Sequence, residues 1–341
     1  MLPPSPIIVI MQGVAEWNHW RRLQAATAAP ELREALLIRA QLPRINLSQV
    51  DSCISNFSGA NLFKANLTEA SFYTANLSQV RLDWAELNGV DMREANLREA
   101  SLIRVQAQRT NFAMADLYGS NLREASFSHS SFCEASLAEV DGCMAHMNHC
   151  NFSDANLQNS LFYTADLRQA NFRQANLTAA DLREANLTQA NLEDINGRNT
   201  SFARAILDRA ILTGAVLKRA NLTMASLALT ILNRANLSNA RMKKAILSQA
   251  SLVGATLCRA QLQNSSFEGT DCRQAVFREA NLENVNFQGA NLSGANLWGA
   301  NLQGACLMDV DLSYADLRHT PLTGVDLSGA VLKGAHLPNN D

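Results

Sequence analysis

The sequence lacks the signatures of most catalysts and of most membrane or secreted proteins. It has no glycine-rich phosphate loop, no HExxH and no Cys/His spacing of a metal site, which argues against the nucleotide and metal chemistries those motifs serve. No catalytic residue, metal or cofactor is expected. Seven cysteines (Cys53, Cys133, Cys143, Cys150, Cys258, Cys272 and Cys306) include no CxxC pair, which suits a reducing compartment rather than a disulfide framework. The apolar run Ile7 to Met11 is far too short to span a bilayer, and no signal-peptide pattern precedes it. The cytoplasm is the expected location, with peripheral attachment to a membrane-associated assembly left open. Charge of one sign is also lacking overall, the net charge being −2.

What the chain has is a five-residue period. From Leu42 to Leu337 every fifth position is Leu, Phe or Met, at 55 of 60 places; the exceptions are Ser52, Ala107, Gly142, Gly197 and Cys272. Two residues earlier the side chain is always small or β-branched, mostly Ala. An α-helix turns about 100° per residue, so these leucines would drift by about 140° per repeat and make no stripe. A short extended segment fits: the small residue and the Leu, two apart, point the same way, and the residue between them points out. The other two residues turn a corner. Gly in the last place, as at Gly289, Gly294, Gly299 and Gly304, suits positive φ. It is rarer upstream, so a change of turn type along the chain is expected. Twelve of the 13 phenylalanines sit on the Leu position and only Phe63 does not, which marks that column as interior.

Repeats such as Ala290-Asn-Leu-Ser-Gly294 carry the A(D/N)LXX signature, and over about 300 residues the chain resembles the pentapeptide repeat family. The resemblance implies an all-β solenoid, a right-handed quadrilateral β-helix with four pentapeptides per coil. That gives about 15 coils, a rod about 70 Å long at a strand spacing of about 4.8 Å. The stretch QGVAEWNHWRR is similar to a helical leader found ahead of such repeats in cyanobacterial members. Length alone suggests two domains, but an unbroken repeat overrides that prior, with stability coming from stacked neighbours. The expected organisation is an N-terminal cap over 1–39, the repeat over 40–337 and a tail over 338–341. In the cap, Ile7 to Met11 reads as an extended strand, Glu16 to Ala26 as a helix carrying Trp17, Trp20 and Leu23, and Pro30 as the start of a second short helix through Arg39. No C-terminal cap is evident beyond Leu322, Leu327, Leu332 and Leu337, so that end is expected to meet a partner or another copy.

In a solenoid the outward residues carry function, and here charge is segregated along the chain. Residues 124–194 hold ten acids and three bases, 195–265 ten bases and one acid (Asp208), and 266–330 eight acids and three bases. With four repeats per coil, Arg198, Lys218, Arg219 and Arg259 share one side of this belt, and Arg204, Arg241, Lys243 and Lys244 the next. Arg209 and Arg234 fall on the other two sides, which are apolar: Ile206, Ile211, Ile231 and Ile246 replace the usual Asn or Asp, and Leu229 and Val253 join them at corners. Such a cluster marks a contact surface, although β-branched residues also simply suit a strand. Nearer the N-terminus one side carries Phe63, Trp84, Ile103, Met144 and Tyr163 among Lys64, Arg104 and Arg123, a mix enriched at interface cores. Cys143, His146, His149 and Cys150 cluster locally, with His129 one coil from His149. They read either as a metal or pH-sensitive spot or as solvated histidines beside filler cysteines. Gly142 removes a core side chain and is expected to leave a dent. Arg-Glu neighbours such as Arg93-Glu94 and Arg183-Glu184 read as solvated corners.

These features point to a non-catalytic scaffold that presents a basic belt and apolar patches to an acidic protein or large assembly. The cyanobacterial resemblance implies photosynthetic complexes such as phycobilisomes as candidates. A second reading follows from family members that bind DNA gyrase by imitating duplex DNA. Mimicry needs negative charge along the rod, whereas the outward strand position favours Asn over Asp by 22 to 10. Nucleic acid is not the expected partner of the belt, because no aromatics interleave its bases.

Overall fold

A single repeat accounts for all of its own backbone donors. The computed structural model describes residues 5–24 and 29–338. In the repeat 61–65, the Asn61 N–H donates back to Ala40 O (2.9 Å), while those of Leu62 and Lys64 donate forward to Arg81 O (2.8 Å) and Asp83 O (3.0 Å). The Ala65 N–H closes the turn on Leu62 O at 3.0 Å. The fifth donor, Phe63 N–H, points to no neighbouring coil and is taken by the Asn61 side-chain oxygen at 3.2 Å. This is an Asx turn, and it explains why Asn or Asp precedes Leu. Buried or corner N–H groups left unpaired are costly, and a neutral amide serves as well as a carboxylate.

Repeated, this unit builds a β-helix in which residue i bridges residue i+20 in parallel, as in Asn61↔Arg81 and Ile211↔Ile231. The chain forms two compact units, Met1–Asp166 and Leu167–Asp341, each a four-sided stack of 20-residue coils. Within each, the first side carries the repeats centred on positions 42, 62, 82 and onward by twenties, and the second, third and fourth follow from 47, 52 and 57. The sequence expectation of a right-handed quadrilateral β-helix with a helical cap holds.

The Leu and Ala columns fill the interior. Leu62, Leu217 and twelve phenylalanines, Phe57 to Phe287, have no exposed surface. Phenylalanines one coil apart stack, Phe112 on Phe132 at 4.9 Å between ring centroids and 2° between planes. Gly142 leaves no dent: a Cβ built there would run into the Phe162 ring, so the phenylalanine one coil on occupies the space. Gly197 is used in the same way by Leu217. Nor does the turn type change along the chain. Lys64 (φ 55°), Arg204 (60°) and Gly294 (66°) all sit in the left-handed region at the same corner position. Together with the bond across nearly every corner, Thr110 donating to Ser130 Oγ instead, this defines a type II-like turn. The ladder fixes that conformation, and glycine only lowers its local cost.

At the N-terminus two helices form, α1 Pro6–Gln12 and α2 Val14–Leu23, separated by Gly13 at φ 120°. The apolar run Ile7 to Met11 is thus helical rather than extended, with Pro6 at a favourable first-turn position. The expected helix over 16–26 is α2, its Ala25 and Ala26 lying outside the described residues, as do 339–341 of the expected tail. No second short helix runs from Pro30 to Arg39. Glu31 and Leu36 already bridge Asp51 and Asn56, and Leu32 and Leu37 are buried in the interior column. Edge pairing and burial override the helix signal, and the ladder begins about ten residues before Leu42.

α2 packs against the second side at 46–48. Trp17, fully buried, donates from Nε1 to Asn46 O at 2.6 Å. Asn18 gives its amide to Arg44 O and accepts the Asn46 N–H at 2.8 Å, and Arg21 donates to Ser48 O at 2.7 Å. Three side chains thereby satisfy backbone groups that would otherwise form an open sheet edge. At the other end Leu322, Leu327, Leu332 and Leu337 are only half-buried or exposed, and among the described residues nothing covers them.

Candidate interaction surfaces

In the first unit several bases are held in place. Asp83, itself nearly buried, accepts Ser101 Oγ and pairs with Arg81 at 2.8 Å. Arg81 then lies over the Phe63 ring, 4.7 Å from its centroid. Lys64 lies between Phe63 and Trp84 (5.3 and 5.8 Å), and Arg104 covers Trp84 at 4.9 Å while pairing with Glu124. The Phe63–Trp84 column is therefore a cation–π ladder on the first side. Ile103 is half-buried beside it; Met144 and Tyr163, two to three coils further on the same side, are exposed. Arg123 is tied to Asp141 at 3.1 Å. Arg93 and Arg98 pair with Asp91 and Asp116, and their guanidinium groups approach the Tyr73 and Tyr118 rings.

A recurrent device neutralises acids in both units. Asp91-Met92-Arg93, Asp271-Cys272-Arg273 and Asp316-Leu317-Arg318 each place the arginine in a two-pronged grip on the aspartate two residues before it. These arginines hold the three carboxyls below the usual carboxylate range. Of the eight acids of residues 266–330, Asp271 and Asp316 are cancelled in this way and Glu279 pairs with Arg259, while the other five have no ion-pair partner among the described residues.

The belt in the second unit is different. Arg204 pairs with Glu184 and Arg259 with Glu279. Among the described residues, Arg198, Lys218, Arg219, Arg241, Lys243 and Lys244 have no ion-pair partner, and all six are exposed. The only acid among them, Asp208, is occupied: it accepts Ser226 Oγ at 2.6 Å and the Ala228 N–H at 3.0 Å. It supplies the acceptor that Ser226 cannot give to its own repeat. Asn233 does the same for Ser251 and Val253 N–H. Sequence reading missed this substitution of one coil's side chain for the next coil's Asx oxygen; its signal is an Asp or Asn just after Leu, one coil before a repeat without Asx. Ile206, Ile211, Leu229, Ile231 and Ile246 lie on the second and third sides, 38–49% exposed, facing away from the two basic sides.

The histidines stack with ring centroids 4.6 Å apart, His129 over His149. Cys143 and Cys150 are buried, the Cys150 thiol donating to Phe127 O at 2.9 Å, and burial pushes the Cys150 thiol up to about 12. Among the described residues no group of three or more His, Cys, Asp or Glu could hold a metal ion, and no helix is long and apolar enough to cross a membrane.

The repeat geometry is that of a known family. Pentapeptide repeats are matched in overlapping stretches across 55–141 and 210–339, and a pentapeptide repeat region across 145–227. The chain belongs to the pentapeptide repeat family. It is similar to HetL of the cyanobacterium Nostoc sp. strain PCC 7120, described as involved in heterocyst differentiation regulation: 30% identity over 63% of this chain and 86% of that one, TM-score 0.27. The Nostoc pentapeptide repeat protein alr5209 is 31% identical over 33% of this chain and 76% of its own, TM-score 0.26. QnrB1, a plasmid-mediated fluoroquinolone resistance protein, is 19% identical over 69% and 89%, TM-score 0.27. No curated protein matches the chain.

Proposed function

We propose that this protein is a non-catalytic interaction scaffold whose basic belt docks an acidic protein or a large acidic assembly. The observation that carries this reading is the set of six exposed, unpaired bases on two adjacent sides of the second unit, with Asp208 withdrawn into the backbone network. Unpaired solvated bases have no ion pair to break before an acidic partner engages them. They steer an oppositely charged partner and fix its register. Acidic light-harvesting assemblies of the phycobilisome kind fit that chemistry, and a cytoplasmic location fits seven free cysteines. Mimicry of duplex DNA is disfavoured by the basic belt, which interrupts any continuous acidic face, and by the excess of neutral Asn over Asp at the outward strand position.

The test is reversal of Lys218, Lys243, Lys244 and Arg219 to Glu together. Capture of the acidic partner should be lost while the melting temperature is retained. Capture that survives reversal would sink the belt as the docking surface.

A further inference from the structure

The geometry points to the third side of the second unit, at Ile211 and Ile231, as a two-fold contact with a second copy of this chain. The two isoleucines bridge one another from successive coils and are 38% and 39% exposed. Leu229 extends the apolar strip at one corner. At the opposite corner two coils carry glycine, Gly214 and Gly254, and this leaves space for the side chains of the coils before them. Asp194 lays its carboxylate against Gly214, where a Cβ would stand, and Arg234 leans toward Gly254, its Cγ 3.9 Å from the corresponding position. Neither Asp194 nor Arg234 has an ion-pair partner among the described residues. The corner therefore presents one free carboxylate and one free guanidinium, two coils apart, either side of the isoleucines.

That pattern is self-complementary under one operation. A two-fold axis crossing the side between the Ile211 and Ile231 coils reverses the order of coils in the second copy. Ile211 then meets the second copy's Ile231, and the reverse. Arg234, leaning from its own coil toward that of Gly254, arrives between the second copy's Gly214 and Asp194 coils, beside the Asp194 carboxylate, and the same pair forms again by symmetry. Glu193, beside Asp194 on the same coil, is cancelled by Arg173 of the coil before, and Asp271 by Arg273, so neither adds an unpaired charge to the contact. The basic sides cannot serve this purpose, because a single sign repels its own copy. They lie away from this side and stay free for an acidic partner. The proposal does not depend on that partner.

Four coils at about 4.8 Å each make a patch well below the roughly 800 Å² per partner of a standard interface, so the dimer should be weak, with a Kd on the order of micromolar. Sedimentation velocity of the purified full chain from about 1 to 200 µM spans that range. The expected result is concentration-dependent dimerisation, abolished by Ile231→Asp. Asp194→Arg or Arg234→Asp alone should weaken it about tenfold or more, and the double reversal Asp194→Arg/Arg234→Asp should restore it. Unchanged circular-dichroism melting shows that each variant is folded. The four-residue belt reversal should dimerise as the parent does. A parent chain monomeric throughout, a dimer indifferent to Ile231→Asp (formed, for instance, through the uncovered C-terminal coil), or a double reversal no better than the singles would each overturn the proposal.

Discussion

Six arginines of the first unit and the unpaired bases of 195–265 are the same residue types on the same scaffold, yet they present opposite surfaces. Arg33, Arg81, Arg93, Arg98, Arg104 and Arg123 are each paired with a carboxylate, and four of them also cover an aromatic ring. In the belt only Arg204 and Arg259 have such a partner; the other eight bases have none among the described residues. Exposed ion pairs add little stability one by one, but they decide what a partner meets: a neutral, ring-covered face in one region and an uncompensated positive field in the other. Charge counting along the chain locates the belt; pairing shows which bases a partner meets uncompensated.

The largest expected effects separate inside from outside. Leu217→Asp buries an unpaired charge where Leu217 also fills the space left by Gly197. It should destabilise the second unit by at least about 4 kcal/mol, whereas Lys218→Glu, one residue on, should stay within about 0.5 kcal/mol of the parent. Denaturant unfolding measures both, and equal effects would contradict the register. Trp17→Ala removes a buried ring and the donor to Asn46 O, at a cost of about 3–5 kcal/mol. Hydrogen exchange should then quicken at Asn46, while Asn236 in the belt keeps its protection; uniform quickening would deny α2 its edge-capping role.

Thiol reactivity gives an intermediate effect. Burial pushes the Cys150 and Cys272 thiols up to about 12, so both should resist alkylation in the folded protein while the half-buried Cys133, Cys258 and Cys306 react. Rapid labelling of Cys272 would show that its coil opens.

The smallest effect concerns acid. Asp91, Asp271 and Asp316 titrate below their ordinary value because arginines grip them. Their contribution is complete above the unfolded value of about 3.9 and is lost as pH falls through the lower folded values. The melting temperature should hold from pH 7 to 5 and decline below about 4, less steeply in Arg93→Gln. A decline already under way at pH 6 would assign acid sensitivity to other groups.

How much of this the sequence carried depends on period. The Leu column, the Phe placements and the four-sided coil are legible because burial repeats every five residues without a slip. Leu32 and Leu37 obey the same rule, but Pro30 and the helix-favouring residues around them obscured it; a single edge coil is too short for periodicity to outweigh propensity. The cap was legible as a helix but not as a cover for the second side, since only the position of Asn46 reveals that Trp17, Asn18 and Arg21 point at its backbone. Both basic sides and the isoleucine cluster followed from register alone. Pairing did not: whether Arg81 grips Asp83 or faces solvent depends on side-chain rotamers that spacing leaves open, and so does the engagement of Asp208.

The most direct test of the belt uses the chain's five lysines, Lys64, Lys218, Lys243, Lys244 and Lys333. Three lie in the belt, so lysine-directed crosslinking mass spectrometry on tagged protein from its native lysate reads the docking surface without mutation. The account predicts crosslinks from Lys218, Lys243 and Lys244 to one acidic protein or assembly, with the same sites silenced by Arg198→Glu, Arg219→Glu and Arg241→Glu introduced together. Crosslinks confined to Lys64 or Lys333 and unmoved by that variant would contradict it.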